Sequence, residues 1–348
     1  GAMDSRRSLS FEHWDRRADG LAAALLAQGL SHGDRVAVLA HNCIEWLEIY
    51  VGLARAGLVA LPLNFRLTGH EIAYILQDAR AAALLCTPVL QERVHEVMPA
   101  LGLRAQVQIG GQTQDGWLDY EKLIHQAVVP ARWPEVKPTD TCALMYTSGT
   151  TGRPKGVVHS HSSLLAGGWT TARAHVLSEH DCGYCVLPIC HINGLCVSVM
   201  GCLISGGQLL LAPKFSNSRF WDDIEAGAVT WFSVVPTIIS HVLHSTQDPS
   251  DAARAKLRFG RSASSALAPE VQTAFETRFG VPIVETMGMT ETAAQMLSNP
   301  LPPATRKIGS PGIAIGNQVT ILRSDLLEAS HNEQGEIAIR GPNVMKEY

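Results

Sequence analysis

Residues Tyr146 to Val158 read YTSGTTGRPKGVV, a segment with three glycines, one serine, three threonines and two cations. It follows the apolar run Cys142-Ala143-Leu144-Met145 and leads into Val157-Val158, so the spacing predicts a strand, a polar loop and then a second apolar segment. Glycines let a backbone approach a ligand without Cβ obstruction, hydroxyls and bare amides donate to phosphate oxygens, and Lys155 and Arg153 supply compensating charge. Such a loop suits a polyphosphate. A Walker A loop would place its lysine directly after a glycine and follow it with Ser or Thr. Here Pro154 precedes Lys155 and Gly156 follows it, so that motif fails.

In its order, Tyr-Thr-Ser-Gly-Thr-Thr-Gly-x-Pro-Lys-Gly resembles the phosphate-binding loop of the adenylate-forming superfamily. These AMP-binding enzymes are the acyl-CoA synthetases, peptide-synthetase adenylation domains and luciferases. The resemblance implies that Thr147, Ser148, Gly149, Thr150, Thr151, Gly152 and Lys155 bind ATP. A second motif, Thr286-Met287-Gly288-Met289-Thr290-Glu291, resembles the segment usually written Tyr-Gly-x-Thr-Glu. It implies nucleotide contacts from Glu285 through Gly288, a catalytic Thr290 at the α-phosphate, and a catalytic Glu291 on a Mg²⁺ that bridges the phosphates, a hard cation preferring carboxylate oxygen. Met287 stands where the family has tyrosine, and a thioether can lie over adenine without offering a π face.

Ser262-Ala263-Ser264-Ser265-Ala266-Leu267-Ala268-Pro269 occupies the place of the family's Gly-Ala-rich adenine turn, implying contacts from Ser264, Ser265 and Ala266. The same residues also fit an ordinary turn in which a serine caps the helix that Pro269 starts. Leu187-Pro188-Ile189-Cys190-His191-Ile192-Asn193-Gly194-Leu195 resembles the acyl-CoA synthetase segment with an aromatic residue and histidine ahead of x-x-Gly. Cys190 replaces the aromatic. His191 is then expected to be catalytic and to face the acid carboxylate, although a lone histidine in an apolar run is also an ordinary core residue. The span Arg261 to Leu267, with Ser298-Asn299-Pro300-Leu301-Pro302, looks more like oxalate–CoA ligases than long-chain fatty acyl ligases. If this edge is extended, Ser262 and Ser264 share a face. With His191, Gly288 and Met289 they would form the acid site and bind a second anionic group, unless the serines only satisfy backbone groups.

The elements that must position these residues alternate along the chain. Phe11, Trp14, Leu21, Leu25 and Leu26 recur at helical spacing before the strand Arg35 to Ala40, and Ile44 to Ala56 is a helix stopped by Gly57 before the strand Leu58 to Leu63. Helix Thr68 to Asp78, strand Ala82 to Cys86, a helix over Pro88 to Leu101 and a short helix over Trp117 to Gln126 follow. Beyond the loop come helix Ser162 to His175, strand Gly183 to Pro188, helix Ile192 to Leu203 and strand Gln208 to Leu211. Helix Ser218 to Gly227, strand Trp231 to Val235, helix Pro236 to His244, strand Leu257 to Arg261, helix Pro269 to Phe279 and strand Pro282 to Glu285 complete the series. The expected fold is α/β, with two doubly wound, mostly parallel sheets and flanking helices, plus a small β-barrel-like or β-rich subdomain read from Val319 to Leu322 and Gly335 to Ile339.

The expected division is 4–160, 161–305 and 306–348 within one AMP-binding N-terminal domain, after a cloning scar at 1–3. The small C-terminal lid domain of the family, with its ribose aspartate and adenylating lysine, is expected to be absent. That implies a truncated form inactive alone. With 348 residues, 46% hydrophobic, 17% charged and a net charge of −4, the composition is that of a large-cored cytoplasmic protein with no electrostatic case for nucleic acid or membrane partners. No stretch reaches the roughly 18 uninterrupted apolar residues of a membrane span. Eight cysteines, mostly in apolar runs, suggest reduced thiols. Cys182 and Cys185 with Cys190 and His191 could suggest zinc but lack a second spaced pair.

The resemblance implies a ligase using ATP, Mg²⁺ and coenzyme A to form an acyl adenylate and then a thioester, as a monomer or homodimer. The expected acid is short and polar, oxalate-like or sulfonated. Medium-chain or aryl acids, an aminoacyl-adenylating domain and a non-catalytic nucleotide-binding module are the alternatives. An amine-binding aspartate is not evident near His191, which disfavours amino acids.

Overall fold

The computed structural model describes residues 1–147 and 153–348; Ser148, Gly149, Thr150, Thr151 and Gly152 lie outside the described residues. Short apolar runs form its parallel strands, because a strand covered by helices on both faces has no polar face to offer. Among the described residues the strands make sheets of seven, nine and two. In space the seven run Leu118–Asp119, Ala105–Gln108, Ala81–Cys86, Arg35–Leu39, Val59–Pro62, Thr141–Thr147 and Lys155–Ser160. All neighbours are parallel except the last two, an antiparallel pair whose register sets Thr147 opposite Lys155. That pair flanks the glycine-rich segment.

The nine-stranded sheet runs Ile313–Ala314, Ala294–Ser298, Ile283–Met289, Phe259–Ser262, Trp231–Val234, Cys182–Cys185, Gln208–Leu211, Ala2–Met3 and Ser8–Leu9. Its pairings are parallel through the middle and antiparallel at both ends. Residues 1–3, read from the sequence as a scar, include the strand Ala2–Met3 on Leu209 and Leu210. Main-chain pairing needs no particular side chain there, and Ala2 is buried.

Side-chain caps start several helices. Ser10, Thr68, Asp119, Ser160 and Ser250 each accept from an amide three residues on, and Glu71 closes a capping box with Thr68. Helices Phe11–Ala27, Glu45–Arg55 and His161–Ala174 and the segment after His191 fill the layer between the two large sheets, where Trp46, Leu47, Leu195, Cys196 and Val197 are fully or almost fully buried. An aromatic cluster of Phe220, Trp221, Phe232, Phe275 and Phe279 packs the outer face of the second sheet. No helix among the described residues is long and apolar enough to cross a membrane.

Three local expectations change. The helix expected over Pro88 to Leu101 is only Pro88–Gln91, followed by turns and the one-turn 3₁₀ segment Met98–Ala100. Pro99 has no N–H to donate and its ring would collide with the His95 carbonyl, which bars a helix continuous through to Leu101; nothing in the structure explains the earlier end at Gln91. The helix expected over Ile192 to Leu203 is a wide π-helical stretch, Asn193–Met200, continued by the α-helix Gly201–Ser205. In place of a barrel, the last described strands make one antiparallel pair, Gln318–Leu322 with Glu336–Arg340. Its alternate residues Val319, Ile321, Ile337 and Ile339 stay partly exposed, and Ile313–Ala314 joins the large sheet instead of closing a new one.

Candidate active site

The side chains singled out in the sequence sit near the ends of strands of both large sheets. The strand Ile283–Met289 carries Glu285, Thr286, Met287, Gly288 and Met289 and runs into a 3₁₀ turn, Thr290–Thr292. It is joined to Ala294–Ser298 through a bulge between Met287 and Gly288. A Cβ on Gly288 would stand 1.7 Å from the carbonyl oxygen of Ala294, so only glycine permits this approach. Nearby backbone is strained: Ser264, Ala293 and Ala294 hold φ of 77°, 45° and 77°, a left-handed region that side chains disfavour and that clusters at functional sites.

The turn that presents Thr290 and Glu291 is held from two sides. His159 Nε2 donates to the Thr290 carbonyl at 2.7 Å, and Nδ1 faces Ser163 Oγ at 3.0 Å. Burial lowers the His159 pKa against the upward pull of the Thr290 carbonyl and Glu291. From the other side the Met345 amide donates to the Glu291 carbonyl at 2.8 Å and Asn343 Nδ2 to the Thr292 carbonyl at 2.9 Å. Tyr348 donates to Glu291 Oε1 at 2.9 Å, and Lys155 Nζ lies 5.3 Å from the centre of the Tyr348 ring. Lys155 and Glu291 therefore flank one small region at the foot of the glycine-rich segment.

Glu285 accepts from the Leu267 amide at 3.0 Å and braces the 263–267 turn, while its buried Oε2 has no partner among the described residues. Ser264, Ser265 and Ala266 are exposed on that turn, Thr286 is buried beneath it, and Met287 is half-buried. The expectation that Ser262 and Ser264 share a face does not hold. The strand ends at Ser262, whose hydroxyl is fully buried without a partner among the described residues, and the positive φ turns Ser264 the other way. Ser264 lines the site; Ser262 does not.

A cavity of about 420 Å³ is lined by His191, Asn193, Arg261, Ser264, Met289 and Thr290, with Leu187, Pro188 and Val235 among its apolar walls. A second, of about 340 Å³, lies against Tyr146, Thr147 and Pro154 of the hairpin. The two share His191, Ile192 and Thr290. Asn64 Nδ2 lies 3.4 Å from His191 Nε2. Desolvation and then the Arg66 charge lower the His191 pKa, so the ring is neutral at pH 7.

Sequence reasoning missed Arg261 and Asn193. Arg261 is 1% exposed, with Nε 3.2 Å from Gln295 Oε1 and Nη1 3.1 Å from both Asn193 Oδ1 and Ser233 Oγ. A cation inside a fully buried, doubly paired strand is the signal that could have marked it. Cys182 and Cys185 pack into different cores on opposite faces of their strand, so they cannot share an ion. Among the described residues no group of three His, Cys, Asp or Glu is placed to hold a metal.

The model of the AMP-binding enzyme family matches residues 2–348. This chain belongs to that family. As an AMP-binding enzyme it is 38% identical over 345 residues to the sulfoacetate–CoA ligase of Cupriavidus necator, covering 99% of this chain and 67% of that protein. It is 32% identical over 327 residues to the oxalate–CoA ligase of Arabidopsis thaliana, covering 92% and 63%. The ATP-bound MatB crystal structure from Rhodopseudomonas palustris superposes with a TM-score of 0.90 at 29% identity, over 99% of this chain and 68% of that one. The chain thus spans about two thirds of the length of these relatives. The adenylate-forming resemblance and the α/β architecture stand as expected.

Proposed function

We propose that this chain is the ATP- and acid-binding domain of a carboxylic acid–CoA ligase whose substrate is a short polar acid, oxalate-like or sulfonated. The junction carries the reading: two cavities, one with polar donors at its floor and one against the hairpin, meet at His191 and Thr290. A carboxylate in the first and a phosphate chain in the second would come together there. One carboxylate oxygen attacks the α-phosphorus, the bond from that phosphorus to the β-phosphate oxygen breaks, and pyrophosphate leaves. The coenzyme A thiol then attacks the acyl carbon and AMP departs.

Such chemistry asks the protein for positioning and charge neutralisation rather than a nucleophile. Thr290 offers a hydroxyl to the α-phosphate, neutral His191 orients the acid carboxylate, and Lys155 answers phosphate charge beside the loop. Adenine would lie between the exposed 264–266 turn and Met287-Gly288, where the glycine permits close approach and the unpartnered Glu285 oxygen awaits a donor. Glu291 would hold a Mg²⁺, a hard cation suited to carboxylate oxygen, and such an ion would supply charge neutralisation for the phosphates. An aminoacyl-adenylating domain would need an acid to meet the substrate ammonium, and the acid cavity has none among its described lining residues. Its polar floor likewise disfavours an aliphatic or aryl acid.

If Lys155 serves the polyphosphate, Lys155→Ala should weaken MgATP binding about 10- to 100-fold, the worth of a charge-assisted contact, and AMP binding much less. Calorimetric titration with both nucleotides checks this, and equal losses would overturn the assignment.

A further inference from the structure

We propose that Arg261 sets the acid specificity of this site by binding a second anionic group, carboxylate or sulfonate, at the end of the substrate remote from the carboxylate that is activated. The proposal rests on the acid-ligase reading above and names the chemistry of its acid.

The argument begins with a missing counter-charge. Arg258 pairs with Asp181 at 2.6 Å, Arg17 with Glu48 at 2.7 Å and Glu121 at 2.6 Å, and Arg306 with Glu276. Arg261 is more deeply buried than any of these, yet among the described residues its side-chain hydrogen bonds go only to the neutral oxygens of Gln295, Asn193 and Ser233. Neutral dipoles orient a guanidinium without neutralising it, and a cation withdrawn from water without an anion is strongly unfavourable. Burial pushes its pKa down to about 9, which still leaves it charged at neutral pH. His175 beside it is itself held neutral and supplies no negative charge.

The cavity is built to the same sign. Arg261 is the one permanently charged side chain among its described lining residues, and no Asp or Glu is present. Asn193 spends its oxygen on Arg261 and Ser233, which turns its amide N–H groups toward Ser264 at 3.5 Å. The wall therefore offers donors and a cation whose Nη2 is left free by these bonds among the described residues, which suits a carboxylate or sulfonate oxygen. Thr290 lines the same cavity, so one short acid can present one anionic end to Arg261 and the other toward the nucleotide. A hydrocarbon tail would leave the guanidinium against an apolar group.

The test is calorimetric titration of this chain with oxalate, malonate and sulfoacetate against acetate, propionate and monomethyl malonate, with AMP titrated in parallel. The expected result is that at least one dianion binds about 10- to 100-fold more tightly than its monoanionic counterpart, that Arg261→Met abolishes the preference and that Arg261→Lys keeps part of it. A merely structural arginine would weaken all acids alike and leave the ratio unchanged. A wild-type chain that binds AMP without preferring any dianion overturns the role of Arg261, as does a preference that survives Arg261→Met. Loss of AMP binding by the wild type would overturn the ligase reading instead. If Arg261→Met does not fold, the wild-type ratio and Arg261→Lys decide.

Discussion

Burial settles the charge states around Arg261, and His175 shows it most clearly. Its ring is fully buried against Phe259, with Nε2 3.1 Å from the same Gln295 oxygen that meets Arg261. Desolvation, then the charge of Arg261, pushes its pKa down to about 3, and Arg258 adds to the effect. The folded value lies below the roughly 6.5 of an unfolded histidine, so the unfolded chain binds the extra proton between the two. Stability from neutral His175 is therefore complete above about pH 6.5 and falls toward pH 3 by up to about 1.4 kcal/mol per unit. Urea unfolding between pH 7 and 4.5 should show this slope, and His175→Gln should flatten it; an unchanged slope in the variant would contradict the account. None of this network was legible beforehand. Ser233, Gln295 and Asn193 lie 28, 34 and 68 positions from Arg261 along the chain; strand register sets Ser233 beside Arg261, and the π-helical stretch carries Asn193 to them.

At the scale of elements, the site depends on how closely two antiparallel strands approach. Gly288→Ala would drive a methyl group into the Ala294 carbonyl, in backbone that cannot rotate away. The expected loss is about 1–3 kcal/mol of stability, the usual penalty of overpacking, with nucleotide binding reduced more than that because the Thr290 turn must shift. Thermal unfolding with AMP titration reads both, and a variant with wild-type stability would show that the bulge is not needed. The motif itself was legible because local order carries it. The shared face of Ser262 and Ser264 was misread because alternation persists only while the strand does, and the chain leaves extended geometry at Ser264.

Across the whole molecule, the alternation of strands and helices was readable because apolar runs such as Ala81–Cys86 and capped starts such as Thr68 and Ser160 agree locally with the fold. The meeting of two cavities at Thr290 was not readable, since it needs both large sheets to be placed. That meeting is the central claim. Its most direct test is calorimetric titration of the chain with an acyl-adenylate mimic in which a carboxylate-terminated acyl group is joined to adenosine through a sulfamate. One molecule spanning both cavities should bind at least about 100-fold more tightly than AMP, because the second contact is made without a second loss of translational freedom. An affinity no better than that of AMP would mean that the two cavities do not serve one reaction.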